Sequence, residues 1–337
     1  MRYSSRFFLW APVAIFAALV VAVGVHWFMT ANALSQYMDS MNGHEIAPGV
    51  KLSFAKRQMA GFPFRLDVIA DDFRVEIAGS HGPIQWRAEH FAMHSLDYGR
   101  VQAIFEAAGN QTLTWTDENG HKQALQFLPA LLRASAIEDS GRLSRFDLEL
   151  IGAASPDFAA ANMQFHLRHD PAVDALDVAF NADEIHLSPG LKSAFGQLVS
   201  RIRFDARLGP ASAFDDLLAG KNDWRAVAEN WRNHSGSLEV RKLDIAWDKT
   251  EGIASGQLTL DSMQRPQGLL TLRIKGERAL AAGIAGLSGD KKLFGSVLDA
   301  LAKNPVSDSD SFSTQLAFKD GIAYVGQMPA GFAQSLY

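Results

Sequence analysis

Histidine and carboxylate side chains stand together at two places in this sequence, and both combinations could in principle do chemistry. The first place contains Glu89, His90 and His94. Two histidines four residues apart on a helix can bind one zinc ion, but the alternation of apolar and polar residues here predicts a strand. On a strand the two histidines would be about 13 Å apart. We therefore expect no metal ion and no cofactor at this place.

The second place is the segment HLRHD, which contains His166, His169 and Asp170. A histidine oriented by a carboxylate can act as a general base. Asp170 and the following Pro171 are also typical of a turn at the end of a strand, so turn formation explains both residues. We predict no catalytic residue, and a periplasmic hydrolase with a dispersed site near His166 and Asp170 stays as an alternative function.

The sequence excludes several classes of function. It contains no G-x-S-x-G, no G-x-G-x-x-G, no phosphate-binding loop and no H-E-x-x-H motif. It contains no cysteine, which excludes disulfides, thiolate metal sites and cysteine nucleophiles. The net charge is −5, so the basic surplus that nucleic-acid binding needs is missing. These features favour a binding or structural role over the common enzyme classes.

The element that determines where the protein sits is the apolar stretch from Phe7 to Phe28, FFLWAPVAIFAALVVAVGVHWF. As a helix it would be about 33 Å long, and it would cross a hydrocarbon core of about 30 Å. Arg2 and Arg6 precede it, and the next Lys or Arg is Lys51. By the positive-inside rule we expect a single-pass inner-membrane protein with a cytoplasmic N-terminus and a periplasmic body.

This assignment divides the chain into four parts. We expect a cytoplasmic tail over residues 1–6, a transmembrane helix over 7–28, a juxtamembrane helix and linker over 29–50, and a body over 51–337. An alternative is a signal peptide, because Ala31-Asn32-Ala33 resembles a cleavage site and cleavage after Ala33 would release a soluble periplasmic body. The apolar run is longer than usual for a signal peptide, which favours the uncleaved anchor.

The body is predicted to be α+β and rich in strands. From Ile84 to Val178, short alternating segments recur every 8–12 residues, separated by Gly, Asn, Asp and Pro turns, which indicates large, mainly antiparallel, twisted or curved sheets. Residues 64–77 form either two strands around a bend at 70–72 or one long bulged strand. The body is expected to be either one domain or two similar halves, about 51–188 and 189–337.

A few helices are expected to pack on the sheets. Helical patterns occur over residues 189–199, 210–219 and 222–233, with Asn222 as N-cap of the last. Residues 277–304 suggest two more helices, and a hairpin over 312–318 and 322–325 closes the chain.

The helix predicted over 222–233, together with the nearby Phe214, carries a candidate face for a lipid or a partner protein. Its residues are Phe214, Trp224, Val227 and Trp231. The alternative interpretation is that the same stripe docks the helix on the sheet, because Trp at helical spacing with Val and Ala between is a normal packing pattern.

Several short motifs resemble a bacterial family known as domain-of-unknown-function family 2125. The first is GFPFRL, formed by Gly61, Phe62, Pro63, Phe64, Arg65 and Leu66. The others are Gly236-x-Leu238, Leu243-x-x-x-Trp247, Ser255-Gly256-x-Leu258-x-Leu260-Asp261, Gly268-x-Leu270, and a tail containing Phe318-Lys319-Asp320-Gly321 and Gly326-Gln327-Met328-Pro329-Ala330-Gly331. The resemblance extends from about Leu52 to the end. It implies a Gram-negative, anchored envelope protein, and it carries no catalytic or binding residues.

A looser similarity is to AsmA-like envelope proteins, in which a membrane helix is followed by long amphipathic strands. It would imply a curved sheet whose apolar concave face handles lipid. Three functions therefore stand as expectations: an envelope binding or scaffold protein that contacts lipid or lipoprotein, a periplasmic hydrolase, and a structural subunit of an envelope complex.

Overall fold

A long helix precedes the body of the protein. The structure is a computed structural model that describes residues 5–79, 81–96, 102–117, 119–190, 193, 195–275 and 311–336. Helix α1 runs without interruption over Ser5–Met41, about 56 Å, and its part Trp10–Met41 is long and apolar enough to cross a membrane. It ends before Gly43, whose φ of 79° turns the chain back towards the first strand. The helix thus continues past the apolar stretch into the segment 29–50, where a juxtamembrane helix was predicted.

Eighteen antiparallel strands form one sheet within the described residues. They are β1 His44–Ala47, β2 Val50–Ser53, β3 Lys56–Ala60, β4 Arg65–Ile77, β5 Ile84–Leu96, β6 Gln102–Thr116, β7 Lys122–Phe127, β8 Leu131–Asp139, β9 Arg142–Ala154, β10 Phe158–Asp170, β11 Ala175–Leu187, β12 Leu198–Gly209, β13 Ser237–Trp247, β14 Thr250–Leu260, β15 Pro266–Lys275, β16 Ser311–Lys319, β17 Ile322–Val325 and β18 Met328–Phe332. The predicted strand-rich, antiparallel α+β fold is confirmed.

The sheet is a meander, because most strands pair with the strand that follows them in the chain. Two places depart from this order: β2 and β3 pair with successive parts of β4, and β7 and β8 both pair with β6. The predicted division of the body near residue 188 falls between β11 and β12, which pair along their length from Leu176–Leu208 to His186–Leu198. Hydrogen bonding thus continues across that position.

The described helices of the body lie between β12 and β13. They are a 3-10 turn over Ala211–Phe214, α2 over Asp215–Leu218 and α3 over Trp224–Asn233. Helices were expected here, but the N-cap of α3 is Asp223, whose carboxylate accepts the Ala226 N–H at 2.9 Å, so the prediction of Asn222 was wrong. Asn222 instead donates to Asp216.

The helix predicted over residues 189–199 was also wrong where the structure describes it. β12 begins at Leu198, and the Leu187 N–H donates to the Gln197 carbonyl, which closes a loop. An apolar pattern of 11 residues cannot distinguish a loop leading into a buried strand from a short helix. The two helices predicted over 277–304 lie outside the described residues, whereas the closing hairpin is confirmed as β16 and β17.

Candidate functional site

The two faces of the sheet differ in polarity. On β9, Leu148 and Leu150 alternate with Asp147 and Glu149. Successive side chains of a strand point to opposite faces, so one face of β9 is apolar and the other is charged. The same alternation recurs on the neighbouring strands.

The strand register brings the apolar residues into line across the sheet. Each residue of one row is the direct cross-strand partner of the next, and all of them are apolar. The row is Val68, Met93, Phe105, Ala134, Leu148, Phe165, Phe180, Phe204, Leu243, Ala254 and Leu272. A continuous apolar face therefore runs perpendicular to the strands from β4 to β15.

Part of this face forms a groove with a volume of about 560 Å³. Its lining is apolar except for Glu106 and Gln164. The other lining residues are Phe73, Val75, Trp86, Phe91, Phe105, Ala107, Phe127, Leu132, Ala134, Phe146, Leu148, Leu150, Met163, Phe165 and Phe180. These residues lie on seven neighbouring strands, which are β4, β5, β6, β8, β9, β10 and β11, and Phe127 is added from β7. Seven neighbouring strands span about 29 Å across a sheet. The volume lies within the usual range of ligand sites, about 300–1,000 Å³.

Aromatic rings form one end of the groove. Phe73 and Phe91 stack with their centroids 3.8 Å apart, and Trp86 meets Phe73 edge-on at 6.1 Å. The indole N–H of Trp86 donates to Oε1 of Gln111 at 3.1 Å. Gln111 is fully buried, and its amide nitrogen donates to the Ala108 and Gly109 carbonyls. A buried polar network of this kind fixes the orientation of the indole.

Helix α1 packs against the aromatic end of the groove. Met38 packs in one cluster with Val68, Ala70, Phe73 and Phe91, so the last turns of α1 lie on the apolar face next to the groove. Further back along the helix, Trp27 is 6% exposed and its indole N–H donates to the Arg65 carbonyl at 2.6 Å. The helix and the body are thus joined by core packing.

The match to a known protein family includes both the end of α1 and the body. A family model described as "Uncharacterized protein conserved in bacteria (DUF2125)" matches residues 27–334. The chain belongs to the DUF2125 family. The family suggested by the GFPFRL motif is therefore confirmed, and the match begins at Trp27, inside α1. No curated protein matches the chain.

A bend in the DUF2125 sheet keeps its apolar residues on one face. Asp72 has a φ of 53°, and Gly109 on β6 has a φ of 73°. Between Ala70 and Phe73 the alternation of β4 shifts by one residue, as it does between Ala88 and Phe91 on β5. Arg65–Ile77 thus form one strand with an irregularity at Asp72, and its register against β5 is the same on both sides of that residue. The prediction of one long strand is confirmed, and the alternative of two separate strands was wrong.

Ion pairs and hydrogen bonds stabilise the polar side of the bend. Hydrogen bonds from Arg87 and Arg74 lower the pKa of Asp72. Hydrogen bonds from the backbone and the side chain of Asn110 lower the pKa of Glu89. Because these carboxylates stay ionised at neutral pH, they keep their partners and stabilise the bend.

The two histidines of the first candidate place lie on the polar face, and each pairs with an aspartate on the neighbouring strand. Nδ1 of His90 is 2.9 Å from Asp71, and Nδ1 of His94 is 2.9 Å from Asp67. Glu89 is instead bonded to Asn110. The described residues contain no group of three His, Asp or Glu side chains that could hold a metal ion.

The second candidate place is also separated by the fold. His166 pairs with Asp147 on β9 at 2.7 Å, whereas Asp170 accepts from Arg207 at 3.1 Å. Burial would raise the pKa of Asp147, but hydrogen bonds from His166 and Arg145 outweigh it and leave that pKa below its usual value. The hydroxyl of Ser135 makes a long contact of 3.5 Å with the same carboxylate. The carboxylate therefore lies between hydroxyl and imidazole, an order unlike that of a Ser-His-Asp triad.

The four residues of the predicted lipid or partner face differ in their exposure. Val227 and Trp231 are buried, and the Trp231 indole donates to the Gly209 carbonyl at 2.9 Å. Phe214 packs near Trp231, with centroids 6.4 Å apart. Trp224 is 44% exposed, and the Arg225 guanidinium lies 5.7 Å from its ring centroid. These four residues are not part of the groove lining.

Sequence reasoning did not name the groove residues as a site. The signal was present as alternating strands with large apolar residues, for example Leu148, Phe165 and Phe180. Their alignment depends on register between strands, which a single strand's pattern does not contain.

Proposed function

We propose that this DUF2125 protein is a single-pass inner-membrane protein that holds an acyl chain of a membrane lipid in the apolar groove of its periplasmic body. The observation that carries the proposal is the groove itself, whose lining from β4 to β11 offers an acyl chain almost no polar contact. One leaflet of a bilayer is about 15 Å of hydrocarbon, half of the usual core, so a groove path of about 29 Å accommodates a lipid chain over its full length.

The uncleaved anchor is supported by the packing of α1. Cleavage after Ala33 would remove Trp27 and Ala31, both of which are buried against Leu66. It would also remove the hydrogen bond from Trp27 to Arg65 and residues 27–33 of the family match. A helix that forms part of the core is expected to remain in the mature protein, so the body stays attached to the membrane.

Photocrosslinking in native membranes tests the groove directly. Leu148 and Glu149 are adjacent in sequence and point to opposite faces of β9, so they form a matched pair of positions for a benzoylphenylalanine substitution. We expect irradiation of the full chain to give a phospholipid adduct from position 148 and little from position 149. Equal adducts from both positions, or none from position 148, would overturn the proposal.

A blocking variant sharpens this test. Ala134 lines the groove, and Ser135 next to it lies on the polar face. Ala134→Trp fills the groove and is expected to remove the adduct at position 148, whereas Ser135→Trp is expected to leave it. Unchanged labelling in Ala134→Trp would show that the lipid contacts Leu148 from elsewhere.

The hydrolase alternative has one observation in its favour, the His166–Asp147 pair beside Ser135. The same pair is also one of several cross-strand ion pairs on this face, such as Arg133–Glu149, Arg203–Asp183 and Arg207–Asp177. Such ladders are a normal means of stabilising neighbouring strands. The groove therefore supports lipid binding more strongly than the pair supports catalysis.

A further inference from the structure

The turn between β3 and β4 exposes two large aromatic side chains. Phe62 is 56% exposed and Phe64 is 59% exposed, and both belong to the GFPF turn. Single exposed apolar residues are normal on a protein surface. Two phenylalanines in one turn beside an apolar helix form an apolar patch, and such patches mark sites of interaction with a protein or a membrane.

The contacts between this turn and α1 show which part of the membrane-spanning segment lies beside the turn. The Phe62 ring lies 5.4 Å from the ring of Trp27 and 6.1 Å from that of Phe28. A Cβ atom on Gly24 would be 4.0 Å from Cε2 of Phe62. Gly24 lies four residues before Phe28, the end of the apolar stretch, which is about 6 Å along the helix. The turn is thus level with the last turn of the membrane-spanning segment.

The turn is held at this level by the body and by the helix together. The Trp27 indole donates to the Arg65 carbonyl, and Leu66 packs against Trp27 and Ala31. The side chain of Arg65 follows directly, is 57% exposed and donates to Asp67 at 2.6 Å. Aromatic residues at hydrocarbon level followed by an exposed guanidinium match the order of acyl chains and phosphates in a leaflet.

We propose that Phe62 and Phe64 insert into the membrane leaflet beside residues 24–28, with Arg65 at the level of the phosphate groups. The inference rests on the proposed membrane anchor and adds a second point of attachment. A single helix would leave the body free to tilt, whereas a helix and an inserted turn hold the sheet at one height. Val68, the first residue of the apolar row, lies four residues after Phe64, about 13 Å along the strand. The groove would then run just above the leaflet that supplies its lipid.

Site-directed spin labelling tests this insertion, and the absence of cysteine from the sequence makes each single-Cys variant unambiguous. The full chain is reconstituted in vesicles of phosphatidylethanolamine and phosphatidylglycerol. Nitroxide labels are placed at Phe64→Cys, at Phe16→Cys in the exposed surface of α1, and at His121→Cys in the turn at the opposite end of the strands. Collisions with oxygen, which concentrates in lipid, are compared with collisions with a water-soluble nickel complex.

We expect the label at position 64 to collide with oxygen in preference to nickel, as at position 16, and the label at position 121 to show the reverse. Phe62→Cys is a second variant with the same expected result. Labels at 62 and 64 that both behave as at 121 would overturn the insertion while position 16 still confirms the anchor. A label at 16 that collides with nickel would overturn the anchor and the insertion together. The groove is tested separately by the crosslinks at positions 148 and 149.

Discussion

The apolar face of the sheet has two regions that share one row of residues but differ in what covers them. Near β4 the row is covered by α1, and Val68 is completely buried between them. From β6 to β11 the row faces the groove, and Phe105, Leu148, Phe165 and Phe180 are only half-buried. The strands themselves follow the same pattern in both regions. Whether this face is core, as near β4, or an open groove, as from β6 to β11, therefore depends on the position of one helix.

The largest expected effect comes from truncating an aromatic residue in each region. Phe73 is buried beneath α1 where the helix meets the end of the groove, so Phe73→Ala should lower the free energy of unfolding by about 3–5 kcal/mol. Phe165 has open volume on one side, so Phe165→Ala should cost less than about 2 kcal/mol. Chemical denaturation of the full chain in detergent micelles measures both. Equal losses would mean that the groove wall is packed like a core, and the distinction between the two regions would fail.

A smaller effect is expected from the bend that joins the two regions. Gly109 has a φ of 73°, and a Cβ atom there would lie 2.5 Å from Oε2 of Glu89. Gly109→Ala should therefore destabilise the protein by about 1–3 kcal/mol through backbone strain, with a further cost for displacing Glu89.

Gly141 provides the matched control for this variant. It has a φ of 79°, but nothing lies within 4 Å of the Cβ position, so Gly141→Ala has the backbone strain alone. We expect a smaller loss of thermal stability in Gly141→Ala than in Gly109→Ala. The same loss in both variants would show that the contact with Glu89 does not constrain the bend.

The smallest effect concerns the polar face behind the groove. The pKa of Asp147 is below its ordinary value of 3.8, so its pairing contributes stability that is present above that value and lost as the pH falls through the lowered pKa. Asp147→Asn should cost at most about 1 kcal/mol at pH 7, because the pair is partly exposed. The difference from the unmodified protein should shrink as the pH falls below about 4. Urea unfolding at several pH values measures this. A constant difference down to pH 2 would contradict it.

Much of the architecture could be predicted from local patterns. The apolar run to Phe28 and the juxtamembrane helix expected after it predicted α1, and alternation predicted most strands and the closing hairpin. The helix patterns around Trp224 and Trp231 located α3 within two residues. These features depend on neighbours in sequence, where periodicity is informative.

The groove could not be predicted in the same way. Leu148, Phe165 and Phe180 are 15 or more residues apart, and their alignment follows from the register of three strands. Helical spacing groups Phe214, Trp224, Val227 and Trp231 on one face but does not show which of these side chains the sheet covers, and Val227 and Trp231 are buried. The histidine pairs at Asp67, Asp71 and Asp147 likewise join partners on neighbouring strands, so spacing along the chain could not reveal them.

The meander has a consequence for how this architecture can change in evolution. Because most strands pair with their successor in the chain, a hairpin inserted between β9 and β10 would keep every other pairing intact. Each added hairpin would lengthen the apolar row by two strands, about 10 Å. The number of hairpins would thus set the length of the groove, and homologues with more hairpins are expected to have a longer groove without a new fold.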